Sequence, residues 1–291
     1  MELAVISGKG GTGKSSITAA FATMDQRVVV ADCDVDAANL YLLFDPVHDN
    51  ETVYIGGHKA VIDTSLCTNC GLCEEYCRFD AIKETDDRII INDRACDGCF
   101  LCANICPFKA ITMVRNDRSR MYSGTFRNGA MVYGRLAPGE DNSGKLVSMV
   151  RDEAKRVAAA KGLETIILDG PPGIGCPVIS TITGVDHIVI VTEPTISGLS
   201  DLKRVHTVAA RFSGEVSVII NKEDLNKGMS AEIEEWCNEN GSRVLGRIPF
   251  EPKMTEAMVA GKSINEAFPG SEISHIISDI WDKLKDNKKD E

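Results

Sequence analysis

Two cysteine runs of one spacing constrain this chain more than any other feature: Cys67-x2-Cys70-x2-Cys73-x3-Cys77 and, 29 residues further on, Cys96-x2-Cys99-x2-Cys102-x3-Cys106-Pro107. They hold eight of its 11 cysteines. Disulfide frameworks of that density belong to exported domains. Here the chain runs from Leu3-Ala4-Val5-Ile6 straight into a glycine loop, and no apolar stretch approaches the roughly 18 to 20 residues that span a bilayer. A cytoplasmic protein without a transmembrane segment is therefore expected, with reduced thiols that ligate metal. Zinc sites rarely use eight cysteines in a doubled spacing, so iron–sulfur ligation fits better.

Outside the cysteines the pattern is that of an α/β protein. Short continuous apolar runs lead to Asp32, Asp169, Thr192 and Asn221. Such runs suit strands buried on both faces of a parallel sheet. Helix-length segments at 145–161, 198–212 and 229–240 lie among them. The alternation predicts a doubly wound, mostly parallel sheet with ligand loops at the carboxyl ends of its strands. A chain of 291 residues can bury one such core and a small satellite. The alternation lapses between about residues 50 and 120. The expected organisation is an α/β domain from 1–50 and 121–291 around an inserted unit at 51–120. The polar stretch from Arg115 to Asn128 reads as a return linker, and Gly129 to Leu136 as the resumed sheet. Ile273 to Leu284 has helical periodicity and should dock on the core, while Lys283 to Glu291 should fray.

Gly8-Lys9-Gly10-Gly11-Thr12-Gly13-Lys14-Ser15 fits G-x4-G-K-[ST] between a predicted strand and a predicted helix that opens with Ser16. The glycines let backbone amides converge on phosphates, and the helix adds its positive end. Lys14 should meet the β- and γ-phosphates, and Ser15 should ligate magnesium. Asp32-Cys33-Asp34-Val35-Asp36 and Asp169-Gly170-Pro171-Pro172-Gly173 follow two of the predicted strands. Carboxylates beside a metal phosphate can hold magnesium through water or orient the attacking water. Asn221-Lys222-Glu223-Asp224 matches the N-K-x-D pattern that reads guanine in GTPases.

The additional Lys9 resembles the signature lysine of the deviant Walker A ATPases, which include MinD, ParA, the Mrp-type carriers and the nitrogenase iron protein. The resemblance runs over residues 1–48 and 129 to about 268. It implies a MinD-like P-loop fold and ATP rather than GTP, with Asn221 presented to adenine. It also implies a nucleotide-sandwich dimer, of two copies or with a related ATPase, in which Lys9 reaches the partner's phosphates. Asp34 resembles the residue that orients water, and Asp32 and Asp169 those of the magnesium shell. Gly173 would sense the γ-phosphate, and Glu193-Pro194-Thr195 resembles a base-pocket loop. Lys9, Lys14 and Asp34 are thus the expected catalytic residues.

The cysteine repeat is similar to that of bacterial two-cluster ferredoxins, in which the fourth cysteine of each run serves the other cluster. The resemblance implies a small α+β unit with Cys67, Cys70, Cys73 and Cys106 on one 4Fe-4S cluster, and Cys77, Cys96, Cys99 and Cys102 on the other. It extends to Phe79-Asp80-Ala81-Ile82, which matches Phe108-Lys109-Ala110-Ile111, although Arg78 stands where a proline is expected. Cys176 lies at the distance from Asp169 at which the nitrogenase iron protein carries a bridging-cluster cysteine. No second cysteine lies between Gly129 and Lys145, so Cys176 is at most an additional ligand. Cys33 and Cys237 read as packing residues.

These features predict a P-loop ATPase that couples a nucleotide switch to electron transfer, or to iron–sulfur or metal-centre assembly, on a redox or cluster-accepting partner. The alternative is a MinD- or ParA-like positioning ATPase with clusters as structural staples. A net charge of −11 gives no broad surface for neutralising phosphates, so no nucleic acid is expected.

Overall fold

The apolar runs become strands covered on both faces. The computed structural model describes residues 1–140, 143–212 and 214–286. Its first strands are β1 Glu2–Ser7, β2 Val28–Asp32 and β3 Val47–Tyr54. Four short strands follow: β4 His58–Ile62, β5 Ile82–Thr85, β6 Arg88–Ile91 and β7 Ile111–Arg115. The rest are β8 Ser119–Phe126, β9 Gly129–Arg135, β10 Thr165–Pro172, β11 His187–Thr192, β12 Glu215–Asn221 and β13 Arg243–Ile248.

One sheet runs in the order β13-β12-β11-β1-β10-β2-β9-β8-β3. It is parallel from β13 to β9, and β8 and β3 close it as antiparallel strands. Alternate residues face two cores. Ile6, Val29, Leu168 and Ile190 pack with Leu146, Val150 and Leu202 from the helices Ser143–Lys161 and Ile196–Ala209. Leu3, Val5, Val30 and Ile167 pack with Phe21 and Trp281 from the helices Lys14–Met24 and Glu272–Asp286. The mostly parallel α/β sheet is thus the one predicted, and it sets Gly8, Asp32 and Asn221 at or just beyond the carboxyl ends of β1, β2 and β12, with Asp169 in the carboxyl-terminal half of β10.

The return linker expected over Arg115 to Asn128 is instead largely strand β8, joined to β9 by a tight hairpin. Its buried positions mix Ser119, Ser123 and Gly124 with Met121 and Phe126, which blurs the apolar alternation. A Cβ on Gly124 would lie 2.1 Å from the Val47 carbonyl oxygen, so this pairing with β3 requires glycine. β3 is exposed until Tyr54, as an edge strand can be. The expected boundaries at 50/51 and 120/121 therefore fall within two strands of the central sheet. β13 was not foreseen either.

The last helix docks through Ile273, Ile277, Ile280, Trp281 and Leu284. Lys283 donates to the Leu245 carbonyl at 2.8 Å, so the expected fraying does not begin there; 287–291 lie outside the described residues. Among the described residues no helix is long and apolar enough to cross a membrane.

Candidate functional site

The phosphate loop is built around one buried carboxylate. Gly13 has φ +89° and caps the helix Lys14–Met24, and a Cβ there would meet Asn221 Nδ2 at 2.3 Å. Both conditions demand glycine. Lys14 Nζ donates to Asp169 Oδ1 at 2.8 Å, Ser15 Oγ to Asp169 Oδ2 at 2.7 Å and Thr18 Oγ1 to Asp169 Oδ1 at 3.0 Å. Burial works against the Lys14 charge, yet Asp169, with Asp32 and Asp34, outweighs it and holds the ammonium above its ordinary pKa.

Asp32 pairs in register with Asp169 on the adjacent strand. It accepts the amides of Asp34, Asn39 and Leu40 at 3.1, 3.0 and 3.1 Å, and so shapes the loop that carries Asp34. Burial, then the Asp169 charge, pushes the Asp32 carboxyl from 3.8 up to about 7. A cation in this place would relieve that repulsion. Asp34 is partly buried, and burial raises its pKa too. It lines a cavity of about 310 Å³ with Gly10, Gly11, Thr12, Gly13, Lys14, Ser15 and Ser16. Thr12 Oγ1 is buried beside it with no hydrogen-bond partner.

Asn221 braces this loop: its Nδ2 donates to the Thr12 carbonyl at 2.7 Å, and its Oδ1 accepts the Lys222 amide at 3.0 Å. The Gly173 amide donates to the Ser7 carbonyl at 2.9 Å. Lys9 is held within its own chain, with Nζ 2.5 Å from Glu193 Oε1 and 3.1 Å from Ser197 Oγ. Lys222 Nζ shares Glu193 at 3.3 Å and also donates to the Gly11 carbonyl at 3.0 Å. Gly8 passes so close to Asp201 that a Cβ would lie 2.8 Å from its backbone.

The cysteine segment carries its repeat in the backbone. Asn69 and Gly98, Gly71 and Phe100, and Asp80 and Lys109 all have positive φ, and the members of each pair lie 29 residues apart. The Asp63 carbonyl accepts the Cys67 amide as the Asn92 carbonyl accepts that of Cys96. The Asp63 amide in turn donates to Ala110 beyond the second run, and the Asn92 amide to Ala81 beyond the first, each at 2.7 Å. β4 pairs with β7 and β5 with β6, so the two repeats lock across each other.

The thiols follow the same crossing. Cys67, Cys70, Cys73 and Cys106 line one cavity with Ile62, Ile89 and Ile111. Cys77, Cys96, Cys99 and Cys102 line a second, with Cys73 in the wall between. Burial pushes the Cys73 thiol up, and the nearby Cys67 and Cys70 add to it. Burial does the same to Cys102, with Cys96, Cys99 and Cys73 adding. The Ala110 amide donates to Cys106 Sγ at 3.4 Å. Among the described residues no three His, Cys, Asp or Glu side chains converge on a single ion; the thiols surround the two cavities instead.

Residues 3–264 match the family described as the CobQ/CobB/MinD/ParA nucleotide binding domain. The chain belongs to that family. It is 36% identical over 290 residues to the uncharacterized protein MJ0578 of Methanocaldococcus jannaschii, covering 98% of this chain and 97% of that one. It is 26% identical over 141 residues to the cytosolic Fe-S cluster assembly factor nubp2 of Danio rerio, covering 42% of this chain and 53% of the relative. The septum site-determining protein MinD of Pyrococcus horikoshii, in complex with Mg-ADP, superposes with a TM-score of 0.60 at 18% identity over 99% and 97% of the two chains. That likeness is one of fold.

Within this MinD/ParA-type ATPase, Cys176 is exposed in a cleft with Ser143, Lys145, Ser148 and Ser180, and no second thiol is among the described residues of that lining. Cys33 and Cys237 are fully buried. Thr18 escaped sequence reading, although its position four residues after Lys14 sets it on the same helix face. Lys59 escaped it as well, because nothing in the sequence relates it to the second cysteine run.

Proposed function

We propose that this chain is an ATP-hydrolysing switch that controls two resident 4Fe-4S clusters and thereby delivers electrons, one at a time, from a reductant to an acceptor protein. The crossed arrangement of the thiols carries this reading: each cavity takes three cysteines from one run and the last cysteine of the other, with Cys73 in the wall that the two cavities share. Such clusters supply one-electron chemistry. The unit from His58 to Arg115 is then ferredoxin-like, with Cys67, Cys70, Cys73 and Cys106 on one cluster and Cys77, Cys96, Cys99 and Cys102 on the other. Cys73, Cys96 and Cys102 are each 9% exposed, which favours residents over cargo, while Cys70 and Cys99 leave each group one exposed thiol.

At the phosphate loop, Lys14 and the amides of Gly10 to Ser16 bind phosphate. Ser15, Asp169 and Asp32 would hold magnesium, which polarises the phosphoryl group. Asp34 orients water, and Asn221 holds the loop that faces the base. In a dimer, Lys9 leaves Glu193 for the partner's phosphates. The partial likeness to an Fe-S cluster assembly factor supports a second reading, transfer of a cluster to a client.

The test is anaerobic purification followed by iron and sulfide analysis. Close to eight of each per chain is expected, with Cys67→Ser and Cys106→Ser damaging one cluster and Cys77→Ser and Cys96→Ser the other. Zinc in place of iron would refute the assignment. Hydrolysis measured with the clusters reduced and oxidised then tests the coupling, and indifference would leave the clusters as staples. Iron moving stoichiometrically into an apo-acceptor would favour the second reading.

A further inference from the structure

The two cysteine groups are alike in sequence and backbone but differ in how they meet the ATPase. Among the described residues, the close approaches that join the cysteine unit to the loop after β9 lie at the second run. A Cβ on Gly139, φ +74°, in the central domain would stand 2.3 Å from the Arg94 carbonyl oxygen, and within the cysteine unit one on Gly98 would stand 2.2 Å from the His58 carbonyl oxygen of β4. Between these contacts lies Lys59, 8% exposed, whose Nζ donates to the Cys96 carbonyl at 2.5 Å and to the Gly139 carbonyl at 2.6 Å.

Gly139 belongs to the loop after β9, and that loop hangs on the segment carrying Asp34. The Leu136 amide donates to the Val35 carbonyl at 2.9 Å, one residue beyond Asp34. The Ala137 amide donates to Ser119 Oγ at 2.8 Å, and Ser119 Oγ to Glu140 Oε2 at 2.5 Å, which ties the loop to β8 as well. The repeat supplies an internal control. Position 59 corresponds to position 88, 29 residues on, and Arg88 is exposed.

We infer that Lys59 is a positioning residue that transmits nucleotide state from the Asp34 loop, through 136–140, to the environment of the cysteine group Cys77, Cys96, Cys99 and Cys102. The inference rests on the cluster reading above. A buried ammonium beside one cluster favours its reduced form, because reduction adds negative charge, and hydrogen bonding and burial around the ligands tune the potential. When γ-phosphate draws the Asp34 loop, Val35 and Leu136 move together. Gly139 then shifts relative to Cys96, and Lys59, held by both carbonyls, changes its distance to the cluster. The coupling is reciprocal in binding free energy, so reduction of that cluster must alter nucleotide affinity in the same measure.

The experiment uses the intact anaerobic holoprotein, with the two clusters distinguished by electron paramagnetic resonance and titrated with ADP or a non-hydrolysable ATP analogue. In the wild type, the potential of one cluster should depend on nucleotide. Lys59→Met should lower that potential and abolish its nucleotide dependence, leaving the other cluster unchanged. Lys59→Arg should restore part of both effects, and Arg88→Met should leave all potentials at wild-type values. Two clusters in the wild type with a nucleotide response that survives in Lys59→Met would overturn the route through Lys59. Potentials in the wild type that ignore nucleotide would overturn it too. Absence of clusters from the wild type would instead sink the cluster reading itself. If Lys59→Met does not fold, hydrogen exchange of the unaltered holoprotein decides: amides 136–140 and 94–98 should change protection together between nucleotides, and independence would refute the inference.

Discussion

The phosphate loop and the cysteine cages settle their polar atoms in opposite ways. Around Asp169 the chain supplies a counter-charge and hydroxyl donors of its own, so the Lys14, Ser15 and Thr18 contacts close without a ligand. In the cages the neighbours are largely apolar, and the small core there consists of Ala60, Ala81, Ile82, Ile89 and Ile111 with Cys73, Cys96 and Cys102. Three of these eight core residues are thiols, too few true hydrophobes to hold such a unit alone. The first site is organised before its ligand arrives; the second depends on its ligand for cohesion.

The largest effect that can break this comparison is removal of iron. Oxidation with chelation should strip hydrogen-exchange protection and protease resistance from residues 58–115, while β1, β2 and β10 stay protected. A segment that remains protected without iron would show that its apolar core suffices.

Lys14→Ala should come next. It leaves Asp169 buried without its cation, which costs roughly 3 to 5 kcal/mol in denaturant unfolding. Calorimetry should show nucleotide binding weaker by roughly 10- to 150-fold, in keeping with the loss of a charge-assisted contact of roughly 1.5 to 3 kcal/mol. Asp34→Ala, by contrast, should keep binding within about threefold and slow hydrolysis at least a hundredfold if Asp34 orients water. An Asp34→Ala protein at the wild-type rate would move that role elsewhere.

A smaller, pH-dependent effect sharpens the comparison within the phosphate site. Asp32 is raised from 3.8 to about 7 in the folded chain, so between these values the folded state holds a proton that the unfolded state has lost. Without ligand, stability should therefore fall as pH rises from roughly 4 to 7 and level off above. Magnesium–nucleotide should bind more tightly as pH rises through the same range, because the metal favours the ionised carboxylate. Thermal melts in a pH series check both statements, and Asp32→Asn should flatten the slope.

The smallest effect belongs to Glu193. Its contacts with Lys9 and Lys222 are partly exposed, with side-chain exposures of 17%, 29% and 27%, so Glu193→Gln should change stability by no more than ~1 kcal/mol. Freed from Glu193, Lys9 should make the ATP-bound dimer form at lower protein concentration, as sedimentation would show. An unchanged dimerisation midpoint would mean that the contact within the chain does not compete.

Much of this was legible because period and spacing are local. The glycine loop, the continuous runs of β1, β2, β10, β11 and β12, and the helices between them all follow from side chains that face water or core in a fixed rhythm. β8 was not legible, because serine and glycine share its buried positions, where only close packing tells strand from linker. The Asp32 caps on Asn39 and Leu40, and the Asn221 strut on Thr12, depend on atoms brought together from distant parts of the chain or by a loop's own path.

By itself, the sequence determined that this chain carries a phosphate loop on an α/β sheet and two thiol runs of one repeat, since both signatures are short and written in residue type. The ferredoxin resemblance already implied which thiols share a cavity; only the tertiary structure decided which run leans on the ATPase and through which residues it does so. Those outcomes come from strand pairing and close backbone approach between residues remote in sequence, and a repeat cannot encode them, because its two halves are alike until the fold places one beside Gly139 and Lys59.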